Sequence, residues 1–265
     1  MQIITSKDNE IIKNVKKLKD KKYRDDKKQF IIEGIKLIEE AIEENIKIKM
    51  IIVCEECMRE QCIEQKLLYQ IAKYNCIYVT EKVFLGLTDV KTPQGMLAVI
   101  EMQNTEDKIN YNEDIIFVLD GIQDPGNLGT IIRTIDSVGL TQIIVSKDTV
   151  DAYNPKVVRS TMGAIFRVKV IETQDIIRTI KNITKREYKI IATTLDTENS
   201  IYDIDFNKKI IVIGNEAKGV SKGILSIAHQ KAKIPMLGKT ESLNAAVATG
   251  VIAYEYVRRK VEMMF

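Results

Sequence analysis

Ile115 to Asp136 reads I-I-F-V-L-D-G-I-Q-D-P-G-N-L-G-T-I-I-R-T-I-D. The five apolar residues Ile115 to Leu119 have the pattern of a strand buried on both faces. A polar turn bearing Gly121, Pro125, Gly126 and Gly129 follows, and then Ile131, Ile132 and Ile135 take up helical spacing. A buried strand running through a glycine-bearing turn into a helix is where α/β proteins place ligands, at the C-terminal end of a parallel strand. Arg133 is expected one turn into that helix, with its guanidinium in reach of the same spot.

Outward from this stretch, strands and helices alternate. Toward the C-terminus, the periodicity predicts strands over 142–145, 167–171, 189–194, 209–213 and 232–234. It predicts helices over 130–138, 154–160, 173–184 and near 224–228, and a long last helix from about Ser242 to Met263. Apolar strands alternating with helices imply a parallel sheet covered on both faces. Toward the N-terminus, a basic helix over 8–22 precedes strands over 30–32, 48–54, 77–80 and 96–102, with helices over 35–44, 60–74 and 82–87. The polar stretch 103–113 has no apolar period and reads as a linker. The expected division is a basic helical arm over 1–28, an α/β unit over 29–103, a linker over 104–113 and a second α/β domain over 114–265.

Composition narrows the function classes. At 265 residues, 45% hydrophobic and 29% charged, the chain has the make-up of an ordinary globular protein with room for two small domains. It has no apolar run of about 18 residues, so no membrane span is expected. The start, M-Q-I-I-T-S-K, lacks a signal-peptide layout, so a cytoplasmic location is expected. The net charge is only +3 but unevenly spread. Residues 1–28 hold nine Lys and one Arg against five acids, a net of +5, which leaves −2 for the rest. Such an arm fits contact with a polyanion, or simply a solvated helix face. Cys54, Cys57 and Cys62 are spaced C-x2-C-x4-C, but no His lies nearby and the second half of a ribbon-type pair is missing, so no metal is expected.

Familiar nucleotide signatures fail. Gly121, Gly126 and Gly129 are spaced G-x4-G-x2-G, not G-x-G-x-x-G. Gly238-Lys239-Thr240 ends like a phosphate-binding loop, but Lys233 stands where its first glycine belongs. What remains is three polar, glycine-bearing turns, each after a strand: Asp120 to Arg133, Gly214 to Ser221, and Ile234 to Asn244. Turns that follow strands of a parallel sheet share one edge. Ser242 is placed to cap the last helix.

These turns carry a resemblance. D-x-x-x-D-P-G-N-L-G-x-I-x-R-T, I-G-N-E-x-x-G-V-S and I-P-M-x-G-x-x-x-S-L-N-A-A-V-A resemble, in order and spacing, the three motifs of the SpoU (TrmH) family of RNA ribose 2′-O-methyltransferases. The stretch 154–164, N-P-K through R-S-T-M-G-A, also looks like the family. F-I-I-E-G-I-K-L-I-E-E-A and K-T-P-Q-G resemble the small substrate-binding domain of its rRNA-directed members.

The resemblance implies a C-terminal parallel-sheet SPOUT-type domain with a deep trefoil knot that forms a homodimer, and a smaller, ribosomal-protein-like α/β domain before it. It implies S-adenosylmethionine as methyl donor, held against Thr193, Gly214, Asn215, Ile234, Leu243 and Asn244. On their own, Ile234 and Leu243 would read as core. By the same resemblance Arg133, Asn127, Glu216 and Asn244 are the catalytic candidates, with Glu216 orienting Arg133 or a neighbouring backbone group. A guanidinium stays charged, so Arg133 is expected to grip a phosphate and favour a developing alkoxide rather than to act as a base. Lys156, Arg159, Lys16 and Lys22 are candidates for RNA contact, and a surface ion pair is an equal reading for Arg159. His229, the one histidine, lies outside the motifs and reads as structural. The implied substrate is a ribose of 23S rRNA, with a guanosine favoured. The alternatives are tRNA, or a catalytically silent RNA-binding or ribosome-assembly factor, against which the presence of Arg133, Glu216 and Asn244 counts.

Overall fold

The computed structural model describes residues 3–58, 65–102 and 109–262. In chain order it opens with β1 (Ile3–Ile4), α1 (Glu10–Lys17), α2 (Lys21–Lys27), β2 (Gln29–Glu33), α3 (Ile35–Glu43) and β3 (Ile48–Val53). Then come α4 (Glu55–Met58), α5 (Gln65–Ile71), β4 (Cys76–Val79), α6 (Glu81–Phe84) and β5 (Met96–Glu101). The strands form a five-stranded mixed sheet of order β1-β4-β3-β5-β2.

The basic segment is no separate arm. Ile12, Val15 and Leu18 bury their stripe in the core of this first unit, against Ile52, Val83, Phe84 and Leu97. Nor is it one helix: α1 ends at Leu18, and Asp20 caps α2 by accepting from the Tyr23 N–H. The helix expected over 60–74 is seen as α5, and its first residues lie outside the described ones.

The second unit begins with β6 (Ile115–Asp120), α7 (Pro125–Ser137) and β7 (Gln142–Ser146). The chain then leaves it for α8 (Pro155–Thr161), because residues 153–166 group with the first unit, where α8 packs on β2. It returns with β8 (Lys169–Thr173), α9 (Ile176–Thr184), β9 (Lys189–Thr193), β10 (Lys209–Gly214), α10 (Lys222–Leu225), β11 (Gln230–Ala232) and α11 (Ala245–Glu262). The excursion of 153–166 had no signal in its own pattern; Val157 and Val158 ask for burial but not against which sheet.

β6 to β11 build a six-stranded, all-parallel sheet of order β11-β9-β10-β6-β7-β8. The chain builds outward from β6 to β8 on one side, then restarts on the other with β9 and β10. The order therefore reverses between β6 and β10, whose registers run side by side from Lys209↔Ile115 to Gly214↔Asp120. In a parallel sheet, such a switch point leaves a crevice beyond the strand ends. β6 and β10 are buried nearly throughout, as a central strand covered on both faces must be. α11 packs along α7 on one face.

Candidate active site at the switch point

The loops after β6 and β10 meet above this crevice. Asp124 caps α7 by accepting from the Asn127 N–H at 2.8 Å, and Pro125 takes the first helical position. The D-P-G-N-L-G run is therefore the first turns of α7, and the turn proper is only Gly121 to Asp124. A helix begun at proline rather than at Thr130 moves Arg133 to the third turn, about 12 Å along the axis from Pro125. It stands about 120° around the wheel from Asn127. Arg133 is exposed and holds no ion pair or hydrogen bond among the described residues.

Of the two roles expected for Glu216, the contact with Arg133 is absent among the described residues, and the neighbouring backbone is what it engages. Glu216 ties the β10 loop to the start of α7. One carboxylate oxygen accepts from the Gln123 N–H at 3.2 Å. The other accepts from the Asp124 N–H at 3.3 Å and from the Asn127 side-chain amide at 2.9 Å. Burial alone would raise the carboxyl pKa, but the Asn127 amide and the backbone N–H groups outweigh it and hold Glu216 below the usual carboxylate range. The chain of contacts continues: Asn244 Nδ2 donates to Asn127 Oδ1 at 2.9 Å.

Asn244, not Ser242, caps α11. Its Oδ1 accepts from the N–H groups of Ala246 (2.9 Å) and Val247 (3.3 Å). Asn215 braces the β10 loop from within, accepting from the Ala217 and Lys218 N–H groups and donating to the Gly121 carbonyl at 2.7 Å. Gly214 sits where the loop folds back on itself; a methyl group there would overlap the Val220 nitrogen and the Gly219 carbonyl. Asp120, at the end of β6, accepts from the Ser221 N–H at 2.7 Å and closes the far side of the loop. Asp120, Gln123 and Ser221 were not among the expected site residues. The available signal was a carboxylate ending an otherwise apolar buried strand.

The third turn starts at the opposite side. β11 is the sheet edge, three strand intervals from β6, or about 14 Å. Yet Asn244 touches Asn127 at the start of α7, so residues 233–244 must travel back across the ends of β9 and β10. Over 234–243 no backbone N–H or C=O is engaged in a hydrogen bond among the described residues. Ile234, Met236 and Leu243 present partly exposed apolar surface in this loop. Thr193, at the end of β9, spends its hydroxyl on the Val212 carbonyl at 2.8 Å. Free amide edges beside apolar faces are the donor set that a flat nucleoside base requires.

Of the expected residues, the structure thus joins Asn127, Glu216 and Asn244 directly and Asn215 and Gly214 through the same loop. Ile234 and Leu243 bound the third turn. Lys156 and Arg159 belong to α8 of the first unit. Lys156 is exposed, whereas Arg159 is half-buried and faces Glu33. Lys16 and Lys22 are exposed on α1 and α2 and carry no ion pair among the described residues. His229 is structural: its Nδ1 accepts from the Ile190 N–H at 3.0 Å, joining β11 to β9.

Comparison with known proteins assigns the chain. Residues 114–254 match the model of the SpoU rRNA Methylase family, and residues 9–98 match that of the MRM3-like substrate binding domain. The chain belongs to the SpoU rRNA methylase family. It is an RNA methyltransferase whose methyl donor is S-adenosylmethionine. It is 32% identical, over 96% of its length and 98% of the relative's, to the 23S rRNA (guanosine(2553)-2′-O)-methyltransferase RlmP of Bacillus subtilis. Among solved structures it resembles the AdoMet-bound rRNA methyltransferase from Sinorhizobium meliloti (TM-score 0.81, 30% identity, 97% and 98% coverage). It also resembles the SpoU methyltransferase AviRb from Streptomyces viridochromogenes in complex with AdoMet (TM-score 0.84, 25% identity, 96% and 100% coverage).

Proposed function

We propose that this SpoU methylase methylates the 2′-hydroxyl of a ribose in 23S rRNA, with a guanosine as the target nucleoside. The observation that carries the reading is the joining of Asn127, Glu216 and Asn244 from three separate motifs above one switch point. RlmP, similar over nearly its whole length, carries a 23S rRNA guanosine in its name, which favours that substrate over tRNA. The first unit, matched by a substrate-binding model, serves as the RNA-holding part, with Lys16, Lys22, Lys156 and Arg159 toward phosphate. A ribosome-directed enzyme of this kind works in the cytoplasm.

The residues fit the methyl donor. Gly214 and Asn215 shape the loop at one side of the pocket, the unspent amides of 234–243 read the adenine edge, and Ile234 and Leu243 cover its faces. Thr193 and Asn244 bound it at either end. When bound, the sulfonium supplies an activated methyl group, which leaves the protein the work of alignment. Alignment is worth roughly 7–11 kcal/mol when geometry is held. Asn127, fixed on both sides by Glu216 and Asn244, holds the ribose face of the site. Arg133, free and cationic, grips the target's phosphate and lowers the cost of charge developing on the 2′-oxygen. The hydroxyl proton leaves to water or to a phosphate oxygen.

The path of 233–244 back across the sheet agrees with the deep trefoil knot that the sequence resemblance implies for the second unit. A homodimer through that unit also has support. Val247, Tyr254 and Val261 repeat at seven-residue spacing along α11, and each is about half exposed.

Mapping 2′-O-methyl groups on rRNA from cells with and without the gene tests the substrate, and the reading requires one 23S site to disappear. Calorimetry with S-adenosylmethionine separates an enzyme from a silent RNA-binding factor, which would give no binding.

A further inference from the structure

In the first unit, β3 ends at Val53 and the chain turns at Cys54 straight into α4. Cys54 is buried and Cys57 half-buried, and their sulfurs are 2.9 Å apart. Residues three apart at a helical turn are neighbours, and the 2.9 Å between the sulfurs means that these two side chains meet. To bond, the sulfurs need to close by only about 0.9 Å to the usual length of about 2.05 Å. Cys76, by contrast, sits on β4 opposite Ile51, three residues before Cys54 along β3, and its thiol donates to the Ile71 carbonyl. It is no partner for this pair.

We propose that Cys54 and Cys57 form a dithiol–disulfide site that is oxidised by small-molecule disulfides of the glutathione type. The two thiols have distinct parts. Cys57 is the less buried of the two, so it attacks first, as the thiolate. It displaces one small thiolate and is left in a mixed disulfide. Cys54 is the resolving thiol: the Glu56 carboxylate lies 3.4 Å from its sulfur, and the thiol proton leaves to water. The Cys54 sulfur then attacks Cys57 and releases the second small thiol. In sum, two protein thiols and one small disulfide give one protein disulfide and two small thiols. Burial first, and then the hydrogen bond with Cys57, push the Cys54 thiol pKa well up, so the second step is the slow one.

The bond closes a very short loop, so it constrains the unfolded chain little and is no structural staple. That is the profile of a reversible site in a reducing compartment, where protein disulfides are transient. Its surroundings register the change. The Cys54 N–H donates to the Gly95 carbonyl at 2.9 Å, and Gly95 lies so close to Met58 and the Cys54 carbonyl that it has no room for a side chain. The adjoining Gln94 side chain accepts from the Ile35 N–H at the start of α3.

The test is thiol counting with peptide mapping on the full chain, exposed to oxidised glutathione and then to dithiothreitol. Of the four cysteine thiols, two should vanish on oxidation and return on reduction, with Cys54 and Cys57 recovered in one linked peptide. Cys54→Ser should trap a glutathione adduct on Cys57, and Cys57→Ser should show neither adduct nor bridge at this turn. Four thiols still titrating after oxidation, or a bridge to Cys62 or Cys76 in place of this one, overturns the proposal.

Discussion

Asn127→Asp changes one atom and reverses the sense of one hydrogen bond. The Asn127 amide nitrogen lies 2.9 Å from a Glu216 carboxylate oxygen, and an aspartate would put a second anionic oxygen there. At that separation the repulsion is about 1.4 kcal/mol in bulk water and about 6 kcal/mol at an effective dielectric of 20. Glu216 is exposed, which puts the value near the lower end. With the lost hydrogen bond, worth about 1 kcal/mol, the assembled site should weaken by about 2–3 kcal/mol. That is roughly a 30- to 150-fold drop in kcat/KM for methyl transfer. The pH profile gives the deciding signature. Two carboxylates in contact raise the pKa of one of them, so as pH falls from about 8 toward about 5 one takes up a proton and donates to the other. The ratio of wild-type to variant activity should therefore shrink on acidification. Asn127→Ala removes the bridge without adding charge, so its deficit should not change with pH. An aspartate variant within about twofold of wild type at pH 8, or one that tracks the alanine variant at every pH, would refute the hub geometry.

Gly214→Ala has no space for its methyl group against the Gly219–Val220 backbone, so the loop must open. We expect an overpacking cost of about 1–3 kcal/mol, seen in calorimetric melting, and weakened S-adenosylmethionine binding in titration calorimetry. Glu255 is buried between Arg258 and Arg259, whose guanidinium groups, Arg258 first, hold its carboxyl at about 2. The depressed value means its contribution is present above the unfolded carboxylate range and is lost as pH falls from about 4.3 toward about 2. Because Arg258 is open to solvent, screening trims the contribution to about 2 kcal/mol; Glu255→Gln should lose that much at pH 7 in urea unfolding and nothing near pH 2. Arg133→Lys should retain much of the activity that Arg133→Ala loses, and a lysine variant as inactive as alanine in methyl-transfer assays would exclude simple charge stabilisation. Amides of 234–243, unpaired among the described residues, should gain hydrogen-exchange protection on adding S-adenosylmethionine.

Much of the fold could be read from periodicity because the apolar runs are unambiguous. Ile115–Leu119 and Ile210–Ile213 are too apolar for a half-exposed strand and too short for a buried helix, and both are central strands. Errors gathered where one residue type serves two structures. Glycines at 126 and 129 suggested an extended turn, but Asp124-Pro125 is a stronger helix start, and the cap prevailed. Ser242 and Asn244 are both good caps; Asn244 takes the position and also touches Asn127, a contact that sequence spacing does not reveal. Ile11, Ile12, Val15 and Leu18 are legible at helical spacing over 8–22, but the surplus of lysines made this core element read as an arm.

The corrected start of α7 also changes what the site residues can do together. Arg133 stands in the third turn of α7 and holds no ion pair among the described residues. Glu216 is satisfied by two backbone N–H groups and a neutral amide. The structural task of locking the loops thus falls on Glu216, while the phosphate contact proposed above would fall on a different residue, Arg133. A carboxylate suits the first, because it accepts several N–H donors at once and helps hold the positive end of α7. A guanidinium left unpaired suits the second, because its charge is undiminished when the substrate arrives. The cap at Asp124 sets this placement, because it puts Asn127 in the first turn of α7 and Arg133 in the third.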